Sequence, residues 1–225
     1  MEADYSDTTV VIPVKDEASV GKVAAAVGKE LEGCKIIVIY ANTDSSVPKL
    51  KPLPGRIKIV KQVGEGKGVA CVQAAKLVRT VIMCFIDGDM TYDPKDLKKL
   101  IELVRKGADM AIGNRLINLD KKAMPGILQF GNKVLTLTGN ILYGLRLHDS
   151  QTGIRAIKTS AFAKMALKET HFGIETEMNI KAKKMGMGID EVPIHYYERE
   201  GKSKQPFKPV NGIRLFLVNF KYLMN

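Results

Sequence analysis

The chain has 225 residues, 45% of them hydrophobic, and a formal net charge of +11. That length and apolar content support a substantial core in one large unit or two small ones, and the excess of Lys and Arg calls for an anionic partner: nucleic acid, a phosphorylated substrate or an anionic membrane surface. Three cysteines without C-x-x-C or Cys/His spacing argue against disulfides and zinc and for a reducing compartment. The acidic start, with Glu2, Asp4 and Asp7, is opposite in sign to a secretory leader, and no apolar run reaches the roughly 20 residues that cross a bilayer.

In chain order, Thr8 to Val14 reads as a buried strand leading to Lys15-Asp16-Glu17-Ala18-Ser19, with Ser19 placed to cap a helix that runs to Leu31 and stops near Gly33. A second strand is predicted over Lys35 to Tyr40 and a third over Arg56 to Val60. Gly64-Glu65-Gly66-Lys67-Gly68 then opens a helix through Leu77. A fourth strand, Val81 to Ile86, delivers Asp87-Gly88-Asp89 at its end. Asp93 and Pro94 fit N-cap and N1 of a helix stopped by Gly107, and Asp109 to Gly113 is a short strand ending in Asn114-Arg115. Such alternation predicts a mostly parallel sheet flanked by helices, with ligands gathered at the carboxyl ends of the strands.

Beyond this half, residues 124 to 147 form a long apolar segment, either a buried crossover helix or a helix lying against lipid. Asp149 to Ala156 reads as a loop entering a strand, Thr159 to Leu167 and Ile174 to Met185 as helices, and Ile189 to His195 as a last strand. A basic loop from Arg199 to Lys204 leads to an amphipathic tail, Ile213 to Met224.

The chemistry centres on Asp87 and Asp89. In an extended chain they share one face, and hard cations such as Mg2+ take one or two carboxylates plus substrate phosphate oxygens. Gly64-x-Gly66-x-Gly68 lacks the G-x-G-x-x-G spacing of a dinucleotide fingerprint, and His148, His171 and His195 lack metal spacing.

Together, Val11-Ile12-Pro13-Val14-Lys15-Asp16-Glu17, Gly66-Lys67-Gly68, Asp87-Gly88-Asp89, Gly113-Asn114-Arg115, Asp149 with Thr152-Gly153-Ile154-Arg155, Glu175-Thr176-Glu177-Met178, Glu191-Val192-Pro193-Ile194 and Arg199 with Gly201-Lys202-Ser203-Lys204 resemble glycosyltransferase family 2, most closely its dolichyl-phosphate mannosyltransferase branch. The resemblance implies an α/β, Rossmann-like GT-A fold in one glycosyltransferase domain: residues 1–115 for the nucleotide sugar, 116–208 for the acceptor and 209–225 as an amphipathic tail. It implies inverting transfer of a hexose from GDP-mannose or a UDP-hexose to dolichyl or polyprenyl phosphate, aided by Mg2+ or Mn2+. Pro13, Val14, Asp16, Glu17, Lys67 and Gly88 would line the nucleotide-sugar pocket with Asp87 and Asp89, which also hold the metal. The implied catalytic set is Asp87, Asp89, Arg115, Asp149 and Glu177, and the implied acceptor-phosphate set is Arg115, Arg155, Arg199, Lys202, Ser203 and Lys204. Two positions depart from the pattern: Tyr40-Ala41-Asn42 replaces an acidic pair after the second strand, and Thr91 stands where a Gln often follows the metal motif.

A lipid phosphate is largely ionised at neutral pH, its second pKa being about 6, and needs cationic positioning more than a base. A sugar-hydroxyl acceptor would instead need a carboxylate base, for which Asp149, Glu175 and Glu177 are the candidates. Peripheral association with the cytoplasmic face of a membrane follows from the lipid reading, with the tail as anchor; that tail could equally pack on the sheet or on a second subunit. A nucleotidyltransferase would want a Gly-rich basic loop after the first strand, where this chain is acidic. A nucleic-acid module would want aromatics among its basic stretches, which are lacking.

Overall fold

The computed structural model describes residues 4–41, 56–119, 122–199 and 209–223. Lys202, Ser203 and Lys204 of the expected acceptor loop, and Asn42, lie outside them. Among the described residues seven strands form one sheet: β1 (Thr8–Val14), β2 (Lys35–Tyr40), β3 (Ile57–Lys61), β4 (Ile82–Phe85), β5 (Met110–Leu119), β6 (Arg155–Lys158) and β7 (Ile189–Tyr196), in the order β3-β2-β1-β4-β6-β5-β7. β1 pairs in parallel with β2 and β4, β2 with β3, and β5 with β7, whereas β6 runs antiparallel between β4 and β5. The reversal of β6 matters for function. Its amino end, and the 149–154 loop before it, meet the carboxyl ends of β1 and β4.

Each sheet face is covered because its strands are apolar on both sides, as buried parallel strands require. One layer holds α1 (Val20–Glu30) and α3 (Asp96–Arg105), whose Leu97, Leu100, Ile101 and Val104 are all buried at helical spacing. The Asp93 carboxylate accepts the Lys95 N–H, the expected capping bond, although regular helix begins three residues after Asp93. The other layer holds α2 (Lys67–Ala75), α5 (Thr159–Met165) and α6 (Ile174–Lys184). Outside α6 lie α4 (Gly126–Tyr143) and the tail helix α7 (Pro209–Lys221), packed on each other. The three cysteines are buried, free thiols.

Three local expectations change. Ser19 stands at the start of α1 but makes no side-chain cap; its hydroxyl donates to Glu17 Oε1 (2.9 Å) and to the Gly88 carbonyl (3.1 Å), tying the β1 loop to the β4 loop. β5 does not stop at Gly113, because β7 pairs beside it as far as Leu119, across an irregularity between Asn114 and Asn118. Segment 124–147 forms α4, whose buried face is mostly polar or small, with Asn132, Leu135, Thr136 and Gly139 inward, while Ile127, Phe130, Leu137 and Ile141 are exposed.

The hub of this second half is Asp149, fully buried in the loop before β6. Its carboxylate accepts Arg115 Nε (2.6 Å), Arg115 Nη2 (2.7 Å), the Arg115 backbone N–H (3.1 Å) and Asn132 Nδ2 of α4 (2.7 Å), while its own N–H donates to Glu191 of β7 (2.8 Å). Burial alone would raise this carboxyl, but Arg115 and Asn132 overcome it and hold its pKa below the ordinary value. The stabilisation is therefore complete above the unfolded carboxylate value of about 3.9 and is lost as pH falls through the lower, folded value. Asp149→Asn keeps the shape but leaves the Arg115 charge buried without its partner. We expect a loss of about 3–5 kcal/mol, read as a lower urea midpoint at unchanged m-value, and a smaller acid-induced loss of stability in the variant than in the parent.

Candidate functional site

The site is built where four loops meet at the carboxyl edge of β1 and β4. The Ile86 N–H donates to the Val11 carbonyl (3.2 Å), and the chain then leaves the sheet as Asp87-Gly88-Asp89. A Cβ on Gly88 would lie 2.4 Å from Val14 Cγ1, so only glycine lets the two carboxylates pass this close to β1. Thr91 fixes Asp89: its Oγ1 and N–H both donate to Asp89 Oδ1, at 2.6 and 3.2 Å. Burial raises the Asp89 carboxyl above its usual value and the Asp87 charge adds to the rise, against opposition from Thr91 and Arg199.

Two cations answer these carboxylates. Lys67, the first residue of α2, lies 2.6 Å from Asp87 Oδ1 and 2.8 Å from Glu175 Oε1. Its burial would depress the ammonium, but Asp87 and Glu175 outweigh burial and keep its pKa well above the ordinary value. The 166–173 turn presses on this helix start: a Cβ on Gly68 would come 2.0 Å from the Glu169 carbonyl, and the Val69 N–H donates to the Thr170 carbonyl (3.2 Å). Arg199, beyond β7, donates from Nη2 to Glu17 and brings Nε to 3.7 Å from Asp89 Oδ2; that Nε is buried and has no hydrogen-bond partner among the described residues. Glu17, Asp89 and Arg199 thus close one side of the crevice, and Lys67, Asp87 and Glu175 the other. Gly153 lies against the Lys67–Asp87 side, since a Cβ there would fall 2.4 Å from Asp87 Oδ2 and 3.1 Å from Lys67 Nζ.

The remaining expected residues divide. Pro13 and Asp16 stay at this edge, Pro13 where β4 has ceased to pair with β1, and Asp16 with φ +53° in the turn to α1. Arg115 stands behind the crevice, paired with Asp149 and stacked at 5.2 Å on the Tyr196 ring, which meets Tyr92 edge to face at 5.1 Å. The Tyr92 hydroxyl accepts the Gly153 N–H at 2.8 Å, so this aromatic pair transmits the brace to Gly153. Arg155, expected to face the acceptor phosphate, is fully buried instead: it donates to the Thr152 carbonyl (2.8 Å) and to Asn179 Oδ1 (3.1 Å), closing the loop that carries Gly153 onto α6. Glu177 also points elsewhere. Its carboxylate accepts the backbone N–H of Lys168 (2.9 Å) and Glu169 (2.7 Å) and pairs with Lys181 (2.8 Å), holding the turn that abuts α2. Tyr92, Tyr196 and Ser19 were not legible as site residues; the one usable signal was Tyr92 lying three residues past Asp89.

Asp87 and Asp89 fit a hard divalent cation by donor chemistry: two oxygen ligands, mutually repelling and partly exposed, with Asp89 Oδ2 on the side away from Thr91. Among the described residues no cluster of three or more His, Cys, Asp or Glu forms a cage. A cation here would complete its shell from a bound ligand, as Mg2+ commonly does with phosphates.

Comparison with known proteins agrees with this architecture. The chain is 30% identical, over 97% of its length, to a low-salt glycan biosynthesis hexosyltransferase of Haloferax volcanii, of which it spans only about half (55%). It is 29% identical, over 92% of its length, to a dolichyl-phosphate hexose transferase of the same organism and spans 90% of that protein. The crystal structure of glucosyl-3-phosphoglycerate synthase from Mycobacterium tuberculosis in complex with Mn2+, uridine-diphosphate and phosphoglyceric acid superposes with a TM-score of 0.74 over 96% of this chain and 78% of that one, at 16% identity. The fold is GT-A. Residues 9–165 match the description "Glycosyl transferase family 2", and the chain belongs to that family.

Proposed function

We propose that this chain is an inverting hexosyltransferase that moves a hexose from a nucleotide sugar, GDP-mannose or a UDP-hexose, to dolichyl or polyprenyl phosphate at the cytoplasmic face of a membrane. Residues 1–115 serve the donor, 116–208 the acceptor and 209–225 the approach to the membrane. Family membership and the Haloferax dolichyl-phosphate hexose transferase support the class. The observation that carries it is the pairing of Asp87 and Asp89 with two cations, Lys67 and Arg199, at the mouth of the crevice.

In this reading a Mg2+ or Mn2+ ion bound by Asp87 and Asp89 supplies a Lewis acid for the departing diphosphate. Lys67 remains charged and offsets Asp87 as the nucleotide leaves. A donor diphosphate competes with Glu17 for Arg199, which is then available to anionic oxygens. Thr91 keeps Asp89 aimed, and the Arg115–Tyr196–Tyr92 brace keeps the Gly153 backbone close to Asp87. A hydroxyl acceptor would need a carboxylate ready to take a proton. Asp149 is engaged by Arg115 and Asn132, Glu177 by two amides and Lys181, and Glu175 at the crevice pairs through Oε1 with the charged Lys67. An ionised phosphate acceptor asks for no such base.

Incubation with Mn2+ or Mg2+, a panel of GDP- and UDP-sugars and a short-chain polyprenyl phosphate should yield a lipid-linked sugar. Nucleotide-sugar hydrolysis alone, or transfer only to sugar hydroxyls, would overturn the assignment. Asp87→Asn and Asp89→Asn should each lower kcat by on the order of 10²–10³, and a chelator should abolish both turnover and the rise in Tm that donor and metal together produce. Glu177→Gln tests whether Glu177 serves as a base. We expect it to lose about 1.5–3 kcal/mol of stability while keeping kcat within about threefold, whereas a general base would lose far more in kcat than in stability.

A further inference from the structure

The two outermost helices are built inside out. A water-facing helix turns its apolar stripe to the core and its polar residues to solvent. On α4 the polar side chains point inward: Asn132 donates to Asp149, Thr136 Oγ1 to Ser150 Oγ (2.9 Å), and Asn140 Nδ2 to the Leu147 carbonyl (2.8 Å). Its stripe of Ile127, Phe130, Leu137 and Ile141, at helical spacing on one face, is 59–72% exposed. α7 repeats the pattern, with Asn219, and Tyr222 just past its end, buried and Ile213, Leu217 and Phe220 outward. The two helices join at Gly139, where an added Cβ would lie 3.4 Å from Asn219 Oδ1, and through the Tyr143 hydroxyl, which donates to the Asn219 carbonyl (2.5 Å). Most of the large exposed apolar residues among those described belong to this pair.

Charge narrows the choice of partner. Neither helix carries an Asp or Glu, while Lys133, Arg214 and Lys221 are spread along them. Lys221 is paired with Glu169 of the neighbouring turn (2.5 Å), but with no anion on either helix and Lys133 and Arg214 beside the stripes, the surface suits the interface of an anionic bilayer. The same α4 that exposes the stripe holds Asp149 and, through it, Arg115 behind the crevice, so this surface and the site are two sides of one helix layer.

We propose that α4 and α7 together form a plate that lies on an anionic lipid surface, α4 contributing as much as the tail. The choice of a lipid over another apolar partner rests partly on the acceptor reading above. The plate sets the crevice beside the headgroups, where a lipid phosphate would present itself.

The chain has no tryptophan, so single reporters read the plate without background. Phe130→Trp on α4, Leu217→Trp on α7 and Val81→Trp, an exposed position before β4, are each titrated with phosphatidylcholine vesicles with and without phosphatidylglycerol. Both helix reporters should shift to the blue and be quenched by brominated acyl chains only with phosphatidylglycerol, and Val81→Trp should not respond. Lys133→Glu with Arg214→Glu should weaken vesicle binding on the order of tenfold at unchanged thermal unfolding. The plate is overturned if neither helix reporter shifts, or if only Leu217→Trp does. It is also overturned if both shift without vesicles as protein concentration rises, which would make the occupant a second copy. The vesicles contain no nucleotide sugar or polyprenyl phosphate, and the transfer assay with a short acceptor in detergent contains no bilayer, so either reading can fail alone.

Discussion

Asp87 and Asp89 stand one residue apart at the end of a buried strand, and two carboxylates so placed repel each other and resist losing water. Much of the surrounding structure answers that constraint. Lys67 sits on Asp87 because α2 begins there, and it stays charged because Glu175 completes its shell. Arg199 reaches back from beyond β7 to Glu17 and Asp89. Gly88 and Gly153 carry no side chain because a Cβ on either would strike Val14 or Asp87. The cations are thus already present before any ligand arrives. On the function proposed above, a diphosphate–metal complex would meet groups whose desolvation has been met by folding, as preorganised electrostatics requires.

A second electrostatic system holds the first in place. Buried ion pairs contribute little net stability when compared with apolar packing, but they are costly to break and they specify geometry. The Arg115–Asp149 pair does both, because its hydrogen bonds reach α4 and β7 as well. Arg155 performs the same office one layer deeper, with no carboxylate within its hydrogen bonds: it gathers the Ser150 and Thr152 carbonyls and Asn179, so the 149–154 loop cannot peel away from α6. Glu177 does so from the other end of that layer, through the 168–169 amides that lie against α2. Residues of one chemical type therefore divide between those at the crevice and those that only hold its walls.

That division explains which parts were legible in the sequence. Local signals carried the first half: the apolar runs of β1, β2 and β4, the Asp93–Pro94 helix start, the Gly107 stop and the carboxylates after β4 all depend on a few neighbouring residues. Where an outcome depends on a distant partner, local reading fails. Asn114-Arg115 reads as the end of a short strand, and the strand runs on to Leu119 because β7 pairs beside it. Ser19 reads as a cap, and is drawn to Gly88 instead. Arg155 is an anion ligand by the family resemblance, and its burial is decided instead by carbonyls and an amide that only folding brings near. Glu175 and Glu177 differ by two positions and by roughly half a turn of helix, enough to send one to Lys67 and the other to the opposite side of α6.

The inverted helices fit the same logic. α4 could have been an ordinary crossover helix with its leucines and isoleucines against α6, and hydrophobic burial would have stabilised it by about 1.5–3 kcal/mol for each large side chain. Its inward face is instead committed to Asn132, Thr136 and Asn140, which supply hydrogen bonds to the loop that positions Asp149 and Ser150. A helix has only one circumference, so placing amides inward to support the site forces the apolar stripe outward. The outward stripe is then a cost in water, and it is offset only if another apolar phase covers it. For an acceptor whose phosphate sits at a membrane surface, that phase would be part of the substrate's own setting, and the demand for polar support within and apolar contact without would be met by a single helix.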